Sequence, residues 1–140
     1  MSPRIDVITL AVADLERALG FYCDVLGLDS PGVTGTRFAG NETRPAGDVV
    51  MFKLDSGLIL ALYPRSELAK DAEIPPGPAQ SGEFSIGHFV AARGDVDALL
   101  RRARVAGANV TPPHDRPWGI YSGYFRDLDG HLWEVIHPST

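Results

Sequence analysis

The sequence predicts an α+β domain in which one strand–helix–three-strand (βαβββ) unit is used twice. Three observations predict it. Residues 7–26, VITLAVADLERALGFYCDVL, align with 88–107, HFVAARGDVDALLRRARVAG, at an offset of 81. Residues 51–61, MFKLDSGLILA, align with 124–134, YFRDLDGHLWE, at an offset of 73, matching Phe52 to Phe125 and Gly57 to Gly130. Each copy opens with a short apolar run, then an acidic residue (Asp14 or Asp95), then an amphipathic stretch. A repeat of this length is one supersecondary unit that needs its second copy to bury a face. The 140 residues suit one structural domain made of two such halves.

The elements follow in order. Ile5 to Val12 is β-branched and apolar, bounded by Pro3 and Asp14, and reads as a strand. Asp14 offers an N-cap. Leu15, Ala18, Leu19, Tyr22, Cys23 and Leu26 recur at helical spacing, and Gly27 supplies the stop. Gly32 to Arg37 is loop or a weak strand. Val49 to Leu54 and Leu58 to Tyr63 are strands joined by a tight turn at Asp55-Ser56-Gly57. The first module thus spans 1–64. Residues 65–83, with Pro75, Pro76, Gly77, Pro78 and Gly82, form a connection whose Ser66 to Lys70 can make one helical turn. The second module spans 84–140. Phe84 to Ala92 is its first strand. Asp95 caps a helix carrying Val96, Leu99, Leu100 and Ala103, which Gly107 ends. Asn109 to Thr111, Tyr121 to Asp127 and Leu132 to His137 complete it, with an irregular stretch, 112–117, leading to Trp118.

Composition narrows the function classes. A hydrophobic fraction of 44% is that of a globular protein. The net charge of −5 comes from interspersed signs, without the clustered basic face that nucleic acid requires. The longest apolar run, Gly57 to Tyr63, is too short to span a bilayer, so no membrane role is expected and the cytoplasm is the expected location. The single cysteine, Cys23, excludes an intrachain disulfide and a thiolate metal cluster.

Strand alternation decides which side chains share a face. Glu134 shares one with Leu132 and Ile136, while Trp133 and Val135 point the other way. Ser122 shares a face with Tyr124, and Thr9 with Val7. If each helix covers one face of its sheet, the remaining faces line a cleft, and polar exceptions on them mark a site. The two copies differ there: the second has His88 and Glu134 where the first has Val7 and Ala61. A carboxylate on an apolar face needs a partner, because burying it alone is costly. His88 itself, another donor, a ligand or water could supply one.

The segments VITLAVADLERALGFYCDVLGL, IGHFV and YFRDLDGHLWEVIHP resemble the vicinal oxygen chelate superfamily of glyoxalases, extradiol dioxygenases and bleomycin-resistance proteins. The resemblance covers nearly the whole chain. It implies paired βαβββ modules whose curved mixed sheets surround a cleft, commonly in a homodimer. It also implies metal-ligand positions at Val7, Ala61, His88 and Glu134. Only His88 and Glu134 are ligand types, so a divalent metal would have half a site, whereas catalytic sites use three protein ligands.

The expected function is therefore a metal-independent protein that binds a small, partly aromatic molecule in the cleft, with no cofactor. Val7, Thr9, Met51 and Ala61 would line one side, and Ser122, Tyr124, His88 and Glu134 the other. Trp118, in a loop between Pro117 and Gly119, is either a satellite core residue or an aromatic gate. The alternative is a lyase, isomerase or epimerase in which His88 and Glu134 serve as metal ligands or as an acid–base pair. Asp127, Asp129 and Gly130 read as turn chemistry without a catalytic role.

Overall fold

The computed structural model describes residues 2–79 and 82–138; Gln80 and Ser81 of the connection, and the chain ends, lie outside the described residues. The chain divides into two compact units, 1–23 with 28–78, and 24–27 with 79–140. No helix is long and apolar enough to cross a membrane among the described residues.

The first unit contains β1 (Val7–Val12), α1 (Leu15–Leu26), β2 (Val50–Lys53), β3 (Ile59–Pro64) and α2 (Arg65–Ala72). Asp14 caps α1 by accepting the Arg17 amide at 3.0 Å, satisfying one of the donors a helix start leaves open. The sheet runs β1-β3-β2, with β1 parallel and β2 antiparallel to β3. Gly32 to Arg37, read as loop or a weak strand, is loop carrying an isolated antiparallel bridge from Thr34 to Val49. Leu10, Val12, Val50, Phe52, Leu60 and Leu62 are buried on one sheet face. From α1, Tyr22 meets the ring of Phe52 at 6.4 Å. Burial of each such side chain is worth about 1.5–3 kcal/mol. The expected single turn after Tyr63 is longer, the two-turn helix α2.

The second unit contains β4 (Ile86–Phe89), α3 (Arg93–Val105), β5 (Asn109–Val110), β6 (His114–Asp115), a 3-10 turn (Pro117–Gly119), β7 (Tyr121–Arg126) and β8 (Leu132–His137). Asp95 serves α3 from within its first turn rather than as the N-cap, since Ala92 holds that position and donates its amide to Asp95 Oδ2 at 3.1 Å. The sheet runs β4-β8-β7-β5, with β6 also paired to β7. β4 is parallel to β8, and the other pairings are antiparallel. α3 buries Val96, Leu99, Leu100 and Ala103, the spacing of one helical stripe. Opposite them are Phe125 and Trp133, stacked at 5.9 Å, and Val135. Gly123 permits this contact: a Cβ there would lie 2.6 Å from Leu100 Cδ1 and 3.2 Å from Pro113 Cα. The β7–β8 turn forms as expected, with Asp127 Oδ1 accepting the amides of Asp129 and His131, each at 2.9 Å.

Candidate functional site

The face of the second sheet away from α3 carries Ser122, Tyr124 and Arg126 from β7 and Leu132, Glu134 and Ile136 from β8. The antiparallel register sets Tyr124 opposite Glu134 and Ser122 opposite Ile136, so Ser122 and Glu134 are diagonal neighbours within side-chain reach. Ser122 is fully buried and donates its hydroxyl proton to Glu134 Oε2 at 2.8 Å. The same hydroxyl oxygen accepts from Arg116 Nε at 2.8 Å. The Arg116 guanidinium also lies 5.4 Å from the centre of the Tyr124 ring, a cation–π distance. A cation, a hydroxyl and a carboxylate thus form one hydrogen-bonded track beside an aromatic ring.

Arg116 is the member that sequence reasoning missed. It lies in a loop without periodicity, and only the pairing of β6 with β7 brings it over the sheet. Several contacts fix it. Its own amide donates to the Ile120 carbonyl at 2.7 Å. The preceding Asp115 is gripped by both terminal nitrogens of Arg93, at 2.6 and 3.0 Å. Trp118, just beyond, is 82% exposed and adopts φ 68°, ψ 24°. It is therefore an exposed indole in a left-handed conformation rather than part of a satellite core.

His88 does not join this track. Gly87 stands in register with Glu134, and His88 with Val135. Residues in register share a face, so His88 is on the α3 side with Val135 and Trp133, while Glu134 is on the other. Burial there pushes the His88 pKa below its ordinary value, because desolvation disfavours the imidazolium. In the first unit, Thr9 and Met51 both flank Ala61 in register, and Val7 lies one step along the same face. Ala61 is buried, while Val7 and Met51 are about half exposed, at 49% and 48%. The hydroxyl of Tyr63, on this face too, donates to the Ala46 carbonyl at 2.6 Å.

The mixed sheets, each with one helix-covered face and one face bearing polar exceptions, define a glyoxalase-type fold. The chain matches the Glyoxalase/Bleomycin resistance protein/Dioxygenase superfamily over residues 4–135 and belongs to that family. A glyoxalase-related enzyme from Fulvimarina pelagi has a similar structure: TM-score 0.79, 26% identity, covering 97% of this chain and 88% of the other. Lactoylglutathione lyase from Agrobacterium tumefaciens aligns with TM-score 0.65 and 26% identity, over 97% of this chain and 94% of the lyase. A mutant of the fosfomycin-resistance protein of Listeria monocytogenes, solved with Mn(II) and a dihydroxypropylphosphonic acid, shares the fold at TM-score 0.69 and 22% identity, over 100% of this chain and 93% of the other. No protein of curated function matches the sequence.

The residues present do not fit a family-type metal centre. Val7 and Ala61 carry no donor. Glu134 has one carboxylate oxygen engaged by Ser122, and His88 is turned to the opposite face. Among the described residues, no group of three or more His, Cys, Asp or Glu is arranged to hold a metal ion.

Proposed function

We propose that this chain is a small-molecule-binding member of its family that works without a resident metal, its ligand lying on the open face of β7 and β8. The observation that carries the reading is the Arg116–Ser122–Glu134 track beside Tyr124. It combines fixed polar groups with an aromatic wall, the usual chemistry of a ligand site. Within the first unit, Val7, Thr9, Met51 and Ala61 form a further proposed ligand-contact surface, apolar with one hydroxyl. Trp118 is the aromatic gate. The reading extends to a homodimer, because each sheet ends in edge strands that can pair with another chain.

A second reading is favoured by the likeness to lactoylglutathione lyase: a lyase, isomerase or epimerase in which Glu134 takes a proton from a carbon next to a carbonyl. Its carboxylate is positioned by Ser122, as a general base must be. His88, one residue out of register, would be a second-face contributor at most.

Elemental mass spectrometry on protein purified without chelator, beside a thermal-shift screen of aromatic acids and their uncharged analogues, tests the binding reading. The expected result is metal far below one equivalent, with ligand-dependent stabilisation that Glu134→Gln weakens. One equivalent of transition metal, lost in Glu134→Gln, would overturn it and favour the lyase or isomerase reading.

A further inference from the structure

We infer that Arg116 is the anchor for a ligand carboxylate and that Glu134 receives a hydrogen-bond donor from the same ligand; this rests on the small-molecule-binding reading above. Arg116 and Glu134 carry opposite charges but make no direct ion pair. Their link runs through the Ser122 hydroxyl, which accepts from one and donates to the other. Among the described residues, no carboxylate forms an ion pair with Arg116.

The geometry of the guanidinium decides what remains available. Its Nε is committed to Ser122, so the side-on fork is used. The two terminal nitrogens have no hydrogen-bond partner among the described residues. They present the end-on fork, two parallel N–H groups that match a carboxylate. Arg93 on the opposite face shows the contrast, with both terminal nitrogens closed on Asp115. Arg116 is only half buried, which leaves its fork reachable. The aromatic ring of Tyr124 beneath the cation adds a flat apolar platform.

Glu134 sets the other half of the specificity. Its Oε2 is filled by Ser122, and its second oxygen is left to accept. A second anionic group there would be repelled, whereas a hydroxyl or amino donor would be held. Because one hydroxyl spans both residues, the ligand's carboxylate and donor must be close together. The class is a hydroxy or amino carboxylate with an apolar or aromatic remainder.

The test uses 3-phenyllactate and its uncharged primary amide as probes, titrated by NMR into the wild-type protein, Arg116→Gln and Arg116→Lys. The wild type should bind the carboxylate about tenfold or more tighter than the amide, as expected for a charge-assisted hydrogen bond. Arg116→Gln should abolish that preference, bringing the carboxylate and the amide to similar affinities, while Arg116→Lys keeps part of it. Equal affinity of the two probes in the wild type, or an undiminished preference in Arg116→Gln, overturns the inference alone. If neither probe shifts the backbone signals of Tyr124 and Glu134, the small-molecule reading falls with it.

Discussion

Gly87, not His88, stands in register with Glu134 on the parallel β4–β8 ladder. This single pairing separates the two residues that family likeness would join in one metal half-site. It leaves Glu134 to the hydroxyl of Ser122 and turns His88 toward the buried side of the sheet.

The placement of His88 predicts an acid sensitivity. Burial holds its pKa below the ordinary 6.5, so the unfolded chain takes up this proton before the folded one does. Where the unfolded state binds more protons, stability rises with pH. The stability tied to a neutral His88 is therefore complete above about 6.5 and is lost as pH falls from there through the folded-state value. Thermal melts of the wild type should fall more steeply than those of His88→Gln over that window. Parallel melting curves for the two proteins would show that His88 is not desolvated.

The buried hydroxyl of Ser122 predicts a stability cost. It has no exposed surface and satisfies two charged side chains at once. Ser122→Ala should destabilise by about 1–3 kcal/mol, the cost of leaving buried polar groups unpaired. Urea unfolding of Ser122→Ala, Glu134→Gln and the double variant measures the coupling. An effect that simply adds would mean the serine and glutamate do not act as a pair.

What the sequence carried was local. Asp14 before α1, the αL glycines Gly27 and Gly107 after α1 and α3, and the Asp127 turn are set by neighbours within a few residues, so their identities announce them. The shared face of Val7 and Ala61 was also legible, because the ladder of the first unit pairs Thr9 with Ala61. In the second unit the repeat alignment would carry the Val7–Ile59 pairing onto His88 and Leu132, yet His88 pairs with Val135. A slip by an odd number of residues moves a side chain to the other face. Such register is fixed by the crossover and its packing, not by residue type. Arg116 was illegible for a related reason: a lone cation in a loop gains meaning only once β6 pairs with β7.

Trp118 predicts an opposition between stability and binding. Its φ of 68° places a bulky side chain in the left-handed region, which costs a non-glycine residue about 1–2 kcal/mol. With 82% of its surface exposed, the indole repays little of that through packing. Asparagine visits the same backbone region more readily. Trp118→Asn should therefore raise stability by about 0.5–1 kcal/mol in urea unfolding, while weakening the binding of an aromatic carboxylate. Backbone strain of this kind clusters at ligand clamps and active sites. A loss of more than about 1 kcal/mol in Trp118→Asn would instead make the indole a packed structural residue, and the gate would have to be sought elsewhere.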